Sequence, residues 1–308
     1  MQDKKAGRQR PAFFMDTTTR PWGLTASNIE PDVMPVTSTD GASAELILVR
    51  APAPLPGSPY LLWLPALGVP ARHYLPLAQA LAGLGVGVAL HEWRGLGSSD
   101  LRAGRRCDWG YRQLLDDIDH SARAAAEAWS GSRWWVGGHS LGGQFACLVA
   151  SRAPAAPAGI LLAASGAPYW RCFAHPRWVR LAYLAAPWLA RLVGYLPGRR
   201  IGFGGNEARG VISDWAATGR TGRYGGHGID EDLECLLVAQ RAPVLALRVA
   251  GDWLVPAASL DFLLGKMPHA QVHVDVLAAR PGTDVAHFGW MKQPDEVAGR
   301  FAKVVAHA

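Results

Sequence analysis

Short, almost wholly apolar runs alternate along the chain with longer stretches in which apolar residues recur every three or four positions. Tyr60–Leu64, Val86–Leu90, Arg133–Val136, Ala158–Leu162, Val244–Val249 and Val272–Val276 read as strands. Runs that are apolar throughout are buried on both faces, as strands of a parallel sheet are. The helical stretches between them are His73–Leu84 (Leu77, Leu81 and Leu84 inward), Trp109–Trp129, Leu141–Arg152, Ala257–Leu264 and Asp295–Ala306. Ahead of these, Val33–Val36, Asp40-Gly41 and Ala44–Val49 read as strand, turn and strand. Strand–helix alternation of this kind predicts an α/β fold: a mostly parallel central sheet with helices on both faces.

The alternation breaks between residues 167 and 240, where no core strand is legible. Trp178, Leu181, Leu184, Trp188, Leu192 and Tyr195 recur there at helical spacing, with a kink expected near Pro187. Glycine-rich loops are expected at 199–205 and 219–228. The predicted organisation is a loose, polar N-terminal arm over 1–30, a core over 31–166 and 241–308, and an inserted helical cap over 167–240.

The stretch Trp134–Ala146 contains Gly138-His139-Ser140-Leu141-Gly142, which fits G-x-S-x-G. In a chain with 35 glycines that pattern alone is weakly specific. Its context gives it weight, because a strand leads in and a helix with Phe145, Leu148 and Val149 at core spacing leads out. Such a turn forces the serine into a strained backbone and exposes its hydroxyl, and the residues two before and two after must be small. The plainer reading is a turn whose serine merely caps a helix.

A serine hydroxyl needs a neighbouring base, and the base needs a carboxylate to fix its tautomer. On a parallel sheet these should follow in the order Ser, acid, His, each on a loop leaving the carboxyl end of a strand. Asp252, just past strand 244–249, is the expected acid; Asp284 is its rival, and capping the next helix is the plainer role for Asp252. His287, after the last strand, is the expected base, with His91 and His139 also near strand ends. Two backbone N–H donors for an oxyanion are expected at Leu141, after the serine, and at Leu67 in the loop 65–70, with Ala66 as the alternative.

These residues give the chain a resemblance to the α/β-hydrolase superfamily along nearly its whole length. It is similar in particular to bacterial hydrolases related to serine aminopeptidase- and lysophospholipase-like proteins. The pieces that carry the likeness are Leu64–Pro70, Arg94–Ser99, Gly138–Gly143, Tyr169-Trp170-Arg171, Gly194–Arg200 and Ala286–Gly289. The resemblance implies a triad of Ser140, Asp252 and His287. Pro65-Ala66 stands where His-Gly is common in the superfamily, so the second oxyanion donor departs from its usual setting.

The expected activity is cofactor- and metal-free hydrolysis of a small carboxylic ester or thioester through an acyl-enzyme. An apolar acyl or aromatic group under the cap fits its Trp and Leu content, as does simple packing of the cap onto the sheet. A peptidase or amidase, a lysophospholipase-like lipid hydrolase, and a binding protein without turnover are the alternatives on the same fold. No particular substrate-binding residue is singled out.

Composition narrows the classes further. With 308 residues and 49% hydrophobic content, the chain can bury one large core plus an insertion. The formal charge of +6 raises nucleic acid as a partner, yet only five of the 31 cations are Lys and the Arg residues are scattered. Nucleic acid is not expected. Membrane-surface attachment through the Arg- and Trp-rich cap is the weaker expectation, behind solvated arginines. The charged start of the chain has no apolar stretch behind it, so no secretory signal is read and the cytoplasm is the expected compartment. Cys107, Cys147, Cys172 and Cys235 are too dispersed for a disulfide frame.

Overall fold

A computed structural model describes residues 29–52, 57–278 and 286–307. Most of the expected N-terminal arm, and Asp284, lie outside the described residues. The elements run β1 (Asp32–Thr37), β2 (Ser43–Val49), β3 (Tyr60–Leu64), α1 (Leu75–Gly83), β4 (Gly87–Leu90), α2 (Tyr111–Ala128), β5 (Trp134–His139), α3 (Leu141–Arg152) and β6 (Ile160–Ala163). Next come α4 (Pro176–Val193), β7 (Leu196–Pro197), α5 (Gly198–Ile201), β8 (Asn206–Glu207), α6 (Arg209–Thr221) and α7 (Leu233–Ala239). The chain closes with β9 (Val244–Val249), α8 (Ala257–Leu264), β10 (Val272–Leu277), α9 (Ala286–Gly289) and α10 (Asp295–His307).

Among the described residues the main sheet has eight strands in the order β1-β2-β4-β3-β5-β6-β9-β10. The first two pairings, β1 with β2 and β2 with β4, are antiparallel; the rest are parallel. Alternate side chains of one strand feed two cores, as the period of two requires. Leu61 and Trp63 of β3 join Leu77, Leu81 and Phe301 on the α1/α10 face. Tyr60, Leu62 and Leu64 join Leu114, Ile118, Phe145 and Leu148 on the α2/α3 face. The fold is α/β, with the sheet sandwiched between helices.

No strand of the main sheet falls between β6 and β9; that segment holds α4 to α7 and the two-residue ladder of β7 with β8. Two details there differ from the sequence expectation. Helix α4 runs through Pro187 without interruption, and the loop expected at 199–205 begins with the single turn α5.

A larger difference lies in the orientation of α4. Its regular stripe of Trp178, Leu181, Leu184, Trp188 and Leu192 faces solvent, while Tyr183, Pro187 and Ala190 face inward. Ala190 packs with Leu196 and Ile212, and the ring of Tyr183 meets Trp215 edge-on with centroids 4.7 Å apart. Both faces of this helix are apolar, so spacing alone does not say which one is buried.

Candidate active site

Strand β5 delivers its chain directly into α3 through a single residue, Ser140, held at φ 54° and ψ −119°. A side chain at φ > 0 is strained, and the surrounding packing enforces it. A Cβ on Gly138 would lie 2.3 Å from the Gly142 carbonyl carbon, and one on Gly142 would lie 2.0 Å from the Leu64 carbonyl oxygen. Both positions therefore admit only hydrogen. Ser140 is partly exposed between buried His139 and Leu141. The Ser165 hydroxyl, on the loop after β6, braces the turn by donating to the Ser140 carbonyl at 3.0 Å.

Asp252 and His287 meet 35 residues apart in sequence. His287 Nδ1 is 2.7 Å from Asp252 Oδ2, and both side chains are buried. A carboxylate only accepts, so Nδ1 carries the proton in this contact. The other oxygen, Asp252 Oδ1, accepts the Leu254 and Val255 amides at 3.0 and 3.2 Å. The carboxylate is thus gripped from the backbone side while its free edge faces the imidazole. Helix α8 has Pro256 as its N-cap and no side-chain cap, so Asp252 does not cap that helix.

His139, the residue before Ser140, holds its ring 4.6 Å from that of His287 and tilted by 39°, which brings the strand-β5 end and His287 together. Burial, and then the charge of His287, hold His139 well below the ordinary histidine range. His91 is likewise buried against Ser121 Oγ at 2.9 Å, and desolvation takes it down to about 3. Both are neutral core histidines rather than competing bases.

The loop after β3 forms a tight turn in which the Val69 amide donates to the Ala66 carbonyl at 3.1 Å. Gly68 occupies its left-handed corner at φ 77°. This loop abuts the elbow, since Gly142 faces the Leu64 and Pro65 carbonyls, and Trp93 Nε1 fixes the Pro65 carbonyl at 2.9 Å. The Ala66 amide is committed elsewhere: it donates to Tyr74 Oη at 2.9 Å. Tyr74 Oη also lies 2.8 Å from His139 Nδ1, so one buried phenol ties the loop to the end of β5. Nothing in the sequence marks Tyr74, which sits within a stretch that reads simply as helix.

The segment between β6 and β9 reaches this loop. A Cβ on Gly68 would come within 2.0 Å of the Gly205 amide nitrogen, so backbone packs directly on backbone. Glu207 sits behind that contact and accepts the Gly205 amide at 2.7 Å. Burial pushes its carboxyl up to about 7, against which the Gly205 hydrogen bond and Arg199 pull it down. Among the described residues, no group of three or more His, Cys, Asp or Glu is placed to hold a metal ion.

A strand–elbow–helix serine and an acid–histidine pair, all at the carboxyl edge of one mostly parallel sheet, define a class. The chain has the α/β-hydrolase fold, which solved hydrolase structures share. Within it, the family model for serine aminopeptidase, S33, matches residues 63–215, a span that includes Ser140 and ends before Asp252 and His287. No curated protein matches the sequence. Solved structures match closely in shape and weakly in sequence. The α/β hydrolase GrgF from Penicillium sp. sh18 is 15% identical with a TM-score of 0.60, the match covering 90% of this chain and 98% of that one. Esterase Pf2001 from Pyrococcus furiosus is 13% identical with a TM-score of 0.58, over 94% and 95%. A thermophilic esterase from Thermogutta terrifontis, solved with malate bound, is 17% identical with a TM-score of 0.57, over 90% and 98%. At these identities the likeness carries the fold.

Proposed function

We propose that the protein is a serine hydrolase that cleaves a carboxylic ester, or a thioester, through an acyl-enzyme. The observation that carries this reading is the 2.7 Å contact of His287 Nδ1 with Asp252 Oδ2, in a protein whose Ser140 is held at φ 54° on a glycine elbow. Ser140 Oγ attacks the acyl carbon while His287 Nε2 takes its proton. The oxyanion forms against the N–H groups of Leu141, at the positive end of α3, and Leu67. The bond to the alkoxide or thiolate then breaks, and His287 returns the proton to that leaving group. Water repeats the sequence on the acyl-enzyme, releasing the carboxylic acid and restoring Ser140. Engagement of the Ala66 amide by Tyr74 favours Leu67 over Ala66 as the second donor.

Residues 167–240 act as the cap in this reading. Gly204 and Gly205 sit beside Leu67 and Leu96, with the Glu207 carboxyl also against both; the leucines suit an apolar acyl or aromatic group. Esterases among the structural neighbours, Pf2001 and that of Thermogutta terrifontis, support ester over peptide chemistry, although the matching family model is that of serine aminopeptidase.

The test is labelling with a fluorophosphonate followed by peptide mapping, with Ser140→Ala alongside. An adduct on Ser140 that the variant lacks, together with turnover of ester substrates reduced about 10⁶-fold in the variant, is the expected result. Folded protein that takes no label and hydrolyses no ester would leave a hydrolase-fold binding protein as the function.

A further inference from the structure

We propose that the outward face of α4 is a docking surface for an anionic phospholipid bilayer. The proposal does not depend on the catalytic reading. Trp178, Trp188 and Leu192 are 73%, 66% and 71% exposed, and Leu181, Leu184 and Leu189 are exposed with them. At 100° per residue, Trp178, Leu181, Ala185, Trp188 and Leu192 fall within about 80° of arc, opposite the buried Tyr183, Pro187 and Ala190. A stripe of this size, continuous along an 18-residue helix, is far more apolar surface than scattered exposed residues provide.

Charge names the occupant. From Ser165 to Asn206 the chain holds six Arg and no Asp or Glu. Arg171, Arg177, Arg180, Arg191, Arg199 and Arg200 are all exposed, and among the described residues none of them forms an ion pair. Arg191 instead lies over the Trp188 ring at 5.8 Å, and Arg180 over Trp170 at 5.5 Å. Arg177, Arg180 and Arg191 lie along one edge of the apolar stripe. A basic edge beside an apolar stripe with Trp near both ends is the pattern of a helix lying in a lipid interface. Among the described residues no helix is long and apolar enough to cross a membrane, so the contact is with the surface.

A second copy of the chain is disfavoured as occupant. Symmetric pairing of this face would set arginines against arginines with no carboxylate in the same segment to offset them. A convex, single-helix stripe also lacks the groove that a partner helix would fill.

The experiment is co-sedimentation of the full chain with vesicles of phosphatidylcholine alone and of phosphatidylcholine with phosphatidylserine, at low and high salt. Binding should require the anionic lipid and weaken as salt rises. Arg177→Gln/Arg180→Gln/Arg191→Gln should lower the partition coefficient roughly 100-fold, and Trp178→Ala/Trp188→Ala at least about tenfold. These side chains are exposed, and an unchanged thermal melt establishes that each variant is folded. The proposal is overturned if anionic vesicles fail to retain the wild type or if the variants bind as well as it does. It is equally overturned if sedimentation velocity shows a dimer that the Trp variant abolishes.

Discussion

Glu207→Gln isolates one buried carboxyl and its effect on stability. Glu207 lies against the Gly204–Gly205 loop, accepts the Gly205 amide, and is raised by burial from 4.5 to about 7. A carboxyl raised in the fold keeps its proton when the unfolded chain has already lost it. Between pH 4.5 and about 7 the native state therefore binds more protons than the unfolded state, and stability falls as pH rises. Below that window the wild-type carboxyl and the variant's carboxamide are both neutral and both can accept the Gly205 amide, so the variant should melt near the wild type. Above it, the wild type carries a buried charge that costs about 3 kcal/mol net of the Gly205 hydrogen bond and of Arg199. For a chain of this length that corresponds to a Tm about 5 °C higher for the variant at pH 8, relative to the difference at pH 4.5. Thermal unfolding followed by circular dichroism at the two pH values measures it. A wild type that gains on the variant as pH rises would refute the reasoning, because it would mean that pairing with Arg199 outweighs desolvation.

Two further outcomes bear on the proposed catalytic site. Asp252→Asn replaces the acceptor of the 2.7 Å contact with a group that can leave His287 in the wrong tautomer, so ester turnover should fall on the order of 10⁴-fold; a greater loss in Asp284→Asn would mean that the acid is misassigned. Tyr74→Phe strips the buried Ala66 amide of its acceptor and His139 Nδ1 of its partner, at a cost of about 1–3 kcal/mol in chemical denaturation. The same variant should lower kcat more than it raises KM, since it loosens the proposed oxyanion loop rather than the substrate's binding surface; an unchanged kcat would separate Tyr74 from that loop.

Much of this protein is decided by interactions that are short in sequence. The strands are legible because a buried parallel strand must be apolar throughout, and Tyr60–Leu64 and Val244–Val249 are. The elbow is legible because the collision between positions 138 and 142 is local and glycine is the only remedy. That Ser140, Asp252 and His287 each follow a strand is legible, and strands of a parallel sheet place their carboxyl ends at one edge. Tertiary structure alone decided the rest. Helical spacing marked the stripe on α4, yet with Tyr183, Pro187 and Ala190 apolar on the other side, only packing against α6 and its surroundings chose the face turned to solvent. The Ala66 amide is engaged by a phenol from the following helical turn, linked in turn to a histidine 65 residues away, and no local pattern announces that. Glu207 looks like any surface glutamate in the sequence. It becomes a carboxyl that titrates near neutrality because the fold closes backbone over it at Gly205, and desolvation is a property of surroundings that no run of neighbouring letters specifies.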